Sequence, residues 1–241
     1  MNTDDLFELV KILRERCPWD KSQTPQSLKS KIIEESYELV EAISEDRLGA
    51  IVEEIGDVMF LALFLTRILE EEGKTNLDDL VESTISKYRA KHPHVFQGKD
   101  LKDEHEVLEF WHKNKKDIFA GIPEILPALL AAKVIQERAA RLGFDWTTAS
   151  GPLEKVREEI GEIEKSEDSA RFEELGDLLF ACVNLARHLE VDPEDALRSA
   201  NKKFVRRFRK VMEELRNQGK DIDKTNLADM DAIWDDIKKE E

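Results

Sequence analysis

VEEIGDVMFLALFLTRIL (52–69) and FEELGDLLFACVNLARHL (172–189) are two versions of one helix, and their reading decides the fold. In the second copy Leu178, Leu179, Cys182, Leu185 and Leu189 recur at helical spacing. That is an apolar stripe of period 3.6, not the alternation of a strand. Matching neighbours flank both copies. IIEESYELVEAI (32–43) precedes the first and VREEIGEIEKSE (156–167) the second, while STISKYRAK (83–91) and SANKKFVRRF (199–208) follow them. Three blocks in the same order, with small length differences between them, mark an internal duplication. The expectation is an all-α chain of two tandem helical domains, 1–96 and 124–241, joined by a polar connection at 97–123.

Helical periodicity extends over almost every segment. It predicts helices at about 3–16, 25–45, 47–72, 77–91, 103–119, 124–142, 150–166, 169–190, 193–217 and 226–240. Breaks fall at Pro18, Pro25, Gly73, Pro93, Pro123, Gly143, Pro152, Pro193 and Gly219.

Charge narrows the function. Against 37 basic residues stand 53 acidic ones, for a net charge of -16. Nucleic-acid duplexes and anionic membranes need a basic face, so neither is expected as the main partner. The longest apolar run, Val58–Leu69, carries Thr66 and Arg67 and falls short of a membrane span. MNTDDLFELVKILRER lacks the basic and apolar regions of an export signal. Cys17 and Cys182 stand apart with no CxxC partner, which fits a reducing compartment. A cytoplasmic location is the expectation.

Each half carries EExxE on one helix and ExxD on the next: Glu34, Glu35, Glu38 with Glu54, Asp57, and Glu158, Glu159, Glu162 with Glu174, Asp177. In so acidic a chain one isolated ExxE means nothing. Residues three and four apart share a helix face, however, so Glu159 sits beside Glu162 and Glu174 beside Asp177. Each pair borders a stripe expected to pack inward, Val156, Ile160 and Ile163 on one helix and Leu175, Leu178 and Cys182 on the next. Packing those stripes together converges four carboxylates, whose mutual repulsion a bound cation relieves. Oxygen-only donors select hard cations, so Mg²⁺ is expected, with Mn²⁺ as a substitute. Magnesium is commonly shared between carboxylates and substrate phosphates, which points to phosphate chemistry.

These motifs, together with GFDW (143–146), NLARHL (184–189), NKKFVRR (201–207), CPWDK (17–21) and KHPHVF (91–96), resemble the MazG family of nucleoside triphosphate pyrophosphohydrolases. The resemblance spans nearly the whole chain. It implies two MazG-like domains, each built around a four-helix-bundle-type core and dimerising, with active sites at the subunit interface. It also implies Mg²⁺ on the carboxylates and hydrolysis of a nucleoside triphosphate to monophosphate and pyrophosphate. Carried onto this chain, the ligands are Glu159, Glu162, Glu174 and Asp177, with Glu158 a further ligand or the base orienting the attacking water. Glu35, Glu38, Glu54 and Asp57 form the corresponding metal set of the first half.

Lys203 and Arg207 lie one turn apart on the next helix and can reach one polyphosphate, with Asn201 beside them. In the first half Ile85 replaces Asn201, and Lys87 and Lys91 replace Lys203 and Arg207, so the second half is expected to be the main catalytic one. Trp146 and Trp234 are candidates to stack on a base or to pack. No Walker motif, His-Asp pair or Nudix order occurs. The alternative is a non-enzymatic acidic helical interaction module, whose carboxylates would be solvated faces.

Overall fold

The computed structural model describes residues 3–98, 103, 106, 107, 110 and 117–239. Two compact units, Met1–Val107 and Leu108–Glu241, divide the chain. All regular structure among the described residues is helical. The first unit contains α1 (Thr3–Arg16), α2 (Pro18–Ser22), α3 (Pro25–Ser44), α4 (Leu48–Glu71), α5 (Leu77–Lys91) and α6 (Pro93–Phe96). The second contains α7 (Ala128–Ala140), α8 (Ser150–Lys165), α9 (Arg171–His188), α10 (Pro193–Asn217), a 3₁₀ turn at Ile222–Lys224 and α11 (Leu227–Lys239). No helix in the described residues is long and apolar enough to cross a membrane.

Local chemistry sets the helix starts. Thr24 caps α3 in a reciprocal capping box with Ser27, and Pro25 occupies the first turn, where its missing N–H is not needed. The carboxylate of Asp192 accepts from the backbone N–H groups of Glu194 and Asp195 at the start of α10. Its other oxygen accepts from Lys133 Nζ at 2.7 Å, which ties α10 to α7. Short links then fold α3 back on α4, and α8 back on α9, as helical hairpins.

In the first unit Phe7 and Val10 of α1, Leu28 of α3 and Leu61, Phe64 and Ile68 of α4 form the core. Arg14, only 8% exposed, fastens three pieces beside it. Its Nη1 donates to the carbonyls of Asp20 (2.6 Å), Lys21 (3.2 Å) and Gln23 (3.0 Å), and its Nε to Glu71 Oε1 (3.3 Å). The pairing holds the Glu71 carboxyl below the usual carboxylate range. In the second unit Val211 and Leu215 of α10 pack on Ile237 of α11, with Met230 and Trp234 alongside.

Three expectations need correcting. The helix expected at 124–142 starts only at Ala128, because Pro127 pushes the residue before it out of the helical region and caps the helix instead. Pro18 and Pro93, read as breaks, also start the short helices α2 and α6. The stripe of Ile160, Leu175 and Cys182 does not face inward. Ile160 and Leu175 are 45% and 51% exposed, and Cys182 is exposed as well. Glu159 is buried instead, with Glu174 half-buried and Asp177 exposed, so the hairpin takes one carboxylate in and leaves an apolar face open. The helix expected at 103–119 lies largely outside the described residues.

Arg14→Met is expected to destabilise the protein by about 2 kcal/mol, because it removes a donor from the Asp20, Lys21 and Gln23 carbonyls and leaves Glu71 with Arg67 alone. Denaturant titration measures the loss. Arg14→Lys should recover less than half, since an ammonium cannot reproduce the planar fork.

Candidate active site

The α8–α9 hairpin brings Glu159, Glu174 and Asp177 together, one carboxylate oxygen from each lying within 4.8 Å of the others. Glu35 of α3 with Glu54 and Asp57 of α4 repeats the arrangement in the first unit. Glu159 Oε2 and Glu54 Oε2 are buried and accept no hydrogen bond among the described residues. A buried carboxylate oxygen without a donor is costly. All-oxygen donors, crowded and partly unsatisfied, fit a hard divalent cation.

Electrostatics record the crowding. The carboxyl of Glu162 is pushed above the usual range by its hydrogen bond to Glu159, by that group's charge and by Glu174. Glu54 is raised first by burial and then by the charges of Glu38 and Glu35. Glu162 and Glu38 thus stand next to the triads without entering them. One lysine partly neutralises each site from a turn earlier. Lys155 Nζ lies 2.6 Å from Glu159 and 3.0 Å from Glu158, and Lys31 Nζ 2.6 Å from Glu35 and 3.2 Å from Glu34. Both lysines are raised above the ordinary value, chiefly by those hydrogen bonds.

Beside the second triad opens a cleft of about 570 Å³, lined by Glu159, Asp177 and Lys155 at its acidic end and by Phe144, Trp146 and Phe180 elsewhere. The first triad borders a smaller one of about 330 Å³, lined among others by Trp19, Lys31, Glu35, Asp57 and Phe60. A charged end joined to an aromatic wall matches a ligand with a polyanionic tail and a flat apolar head.

Residues 23–96 and 147–212 each match the MazG nucleotide pyrophosphohydrolase domain. The chain belongs to the MazG family. A relative from Escherichia coli strain K12, named nucleoside triphosphate pyrophosphohydrolase, is 38% identical over 99% of this chain and 97% of its own length. One from Thermotoga maritima, named nucleoside triphosphate pyrophosphohydrolase/pyrophosphatase MazG, is also 38% identical, over 98% of this chain and 95% of its own. YabN of Bacillus subtilis, an uncharacterised protein, is 41% identical over 93% of this chain but only 49% of its own length.

Within the second unit the sequence-predicted residues separate into two groups. Glu159, Asp177 and Trp146 line the cleft, and Glu174 joins the two carboxylates in the triad. Glu158 is half-exposed and held by Lys155, outside the triad. Asn201, Lys203, Arg207 and Trp234 do not line this cleft. Arg207 lies over the Trp234 ring at 5.8 Å and Phe204 contacts the same ring at 5.2 Å, so Trp234 packs α11 onto α10.

Sequence reasoning assigned no role to the network behind Trp146. Arg187 donates to both oxygens of Asp145, at 2.8 Å and 2.5 Å, and His188 Nε2 lies 2.8 Å from Asp145 Oδ1. Arg187 also donates to Asn184 Oδ1 from Nε (3.1 Å) and Nη2 (2.7 Å). GFDW and NLARHL had signalled these residues as motifs. Their partnership across 42 residues had no local signature.

Arg187, then His188, hold the Asp145 carboxyl down to about 2, against an ordinary 3.8. A depressed acid stabilises the fold fully above its unfolded value and loses that contribution as pH falls towards its folded one. Between about pH 5 and pH 2, Asp145→Asn should therefore show a shallower loss of melting temperature than the parent. Near neutral pH it should be less stable by about 1 kcal/mol, the partial exposure of the pair limiting the effect.

Proposed function

We propose that the chain hydrolyses nucleoside triphosphates and their deoxy forms at the bond between the α and β phosphates. Water adds to the α phosphorus, pyrophosphate leaves and a nucleoside monophosphate remains. The carboxylate triad at one end of an aromatic cleft carries this reading, and the names of the Escherichia coli and Thermotoga maritima relatives support it.

Glu159, Glu174 and Asp177 are the residues to hold Mg²⁺, or Mn²⁺ in its place, with Glu162 adjacent. When bound, the ion neutralises phosphate charge and acidifies a coordinated water. The chain's own groups do the rest. The aromatic wall holds the nucleoside and excludes water from its faces. Lys155 lines the cleft beside Glu159 and offers a cation to the phosphates. Glu158, one turn from Lys155, is suited to orient the attacking water.

A homodimer completes this picture. Ile33, Val40, Val52 and Ile55 on the first hairpin, and Ile160, Leu175 and Leu179 on the second, are exposed apolar residues beside acidic faces. Such faces favour burial against a second copy. A four-helix core formed in that way also gives Asn201, Lys203 and Arg207 of α10 a phosphate to bind. The cytoplasm, where these nucleotides and magnesium are abundant, is the location that fits. The second domain is the main catalytic one, since Ile85 stands in the first where the second has Asn201.

Incubation with common NTPs and dNTPs plus Mg²⁺ should yield monophosphate and pyrophosphate by chromatography, whereas diphosphate and orthophosphate would overturn the reading. Millimolar Mg²⁺ should raise the melting temperature, because a ligand bound only by the folded state stabilises it, and Glu159→Gln should abolish most of that rise. An acidic interaction module would show neither response. Glu159→Gln should lower kcat by at least about 100-fold. Glu35→Gln should cost far less, and equal losses would sink the assignment of catalysis to the second domain.

A further inference from the structure

The cleft of the second domain has polar groups on its wall that the phosphate chemistry leaves unused. Asn184 and Gln136 both line it, and each has its amide orientation dictated by a partner. Arg187 carries only donors, so the atom of Asn184 that faces it, at 2.7 and 3.1 Å, must be the oxygen. Nδ2 is then left over, and no described residue engages it. Gln136 is the converse. Its Nε2 donates to the Phe180 carbonyl at 2.8 Å, a group that only accepts. Its Oε1 is therefore left over, buried and without a donor among the described residues, in a side chain only 6% exposed.

A buried polar atom without a partner is costly unless something supplies the missing bond. Gln136 Oε1 is such an atom, and Asn184 Nδ2, though not buried, is a spare donor on the same wall with Trp146 and Phe180. Trp146 is fixed in its turn. A Cβ on Gly151 would lie 2.1 Å from Trp146 Cδ1, so the ring rests on the bare first turn of α8. Asp145, the residue before it, is clamped by Arg187. One guanidinium thus sets both the amide and the loop that carries the ring.

We propose that Asn184 and Gln136 are the base-reading residues of this cleft and that Arg187 is their positioning residue. Asn184 Nδ2 donates to an exocyclic keto oxygen, and Gln136 Oε1 accepts from the ring N–H next to it. Guanine, uracil and thymine present that pair, whereas adenine and cytosine present an amino donor beside an unprotonated ring nitrogen. In the first domain the aligned helix has Phe64 at the position of Asn184 and Leu61 at that of Ala181. Phe64 is fully packed there, and no amide occupies this position, so the first cleft lacks the keto reader.

The inference rests on the cleft being the nucleotide site, and the test separates the two. The full chain is titrated with α,β-methylene analogues of GTP, UTP, ATP and CTP in Mg²⁺ by calorimetry, beside turnover of the natural nucleotides. Asn184→Asp keeps an oxygen for Arg187 but turns an acceptor to the cleft. Its added charge weakens all four ligands alike, so the keto-to-amino ratio of affinities is the readout. That ratio should fall by more than about fivefold, the value of one hydrogen bond, and a smaller fall overturns the proposal. Arg187→Lys, which retains the charge and loses the fork, should lower the ratio in the same direction, and Gln136→Glu, which keeps the acceptor, should preserve it. If the parent binds the analogues but forms no monophosphate from the natural nucleotides, the hydrolase reading fails and the base-reading result still stands on the binding ratio. If it hydrolyses the natural nucleotides and the ratio of analogue affinities does not move, only the base reader fails.

Discussion

Three carboxylates from two adjacent helices, with oxygens within 4.8 Å of one another, are the constraint from which the rest of each domain follows. Like charges at that range repel strongly when partly withdrawn from water. The hairpin nevertheless buries Glu159 and half-buries Glu174, leaving Asp177 exposed, and that choice fixes which helix faces remain outside. Glu159 at 3% exposure and Ile160 at 45% are neighbours in sequence. The usual distribution of polar and apolar residues is locally exchanged. A lysine one turn before each triad offsets part of the charge, while α1 and α7 pack behind the hairpins.

The two domains meet this constraint with different fastenings. In the first, Arg14 ties α1 to the α2 turn and to the end of α4. In the second, Lys133 and Asp192 tie α7 to the start of α10, and Arg187 ties the GFDW loop to α9. The duplicated blocks keep the carboxylates and the lysines in register. The residues around them have diverged, which leaves one cleft smaller than the other and differently lined, with Phe64 in the first where the second has Asn184.

The carboxylates were legible in the sequence because a helix converts spacings of three and four into one face, and because duplication repeated the pattern. The burial of Glu159 was not. Periodicity reveals that α8 has an apolar stripe but says nothing of what covers it, so Ile160 and Leu175 were expected inside. Asn184, Arg187 and Gln136 were invisible as a group for another reason. Their relation lies in contacts spanning 44 and 42 residues, and in which end of an amide remains after its partner has taken the other. Lys203 and Arg207 were legible as a cationic pair on one turn, whereas the direction α10 presents them is a property of tertiary packing.

Trp146 resting on Gly151 has a geometric consequence. Gly151 and Glu159 belong to one uninterrupted helix, eight residues apart, so about 12 Å of rigid rise separates the ring's seat from the buried carboxylate. Loop motion cannot change that span. The helix acts as a ruler laid between the aromatic and acidic ends of the cleft, and it measures the length of whatever bridges them.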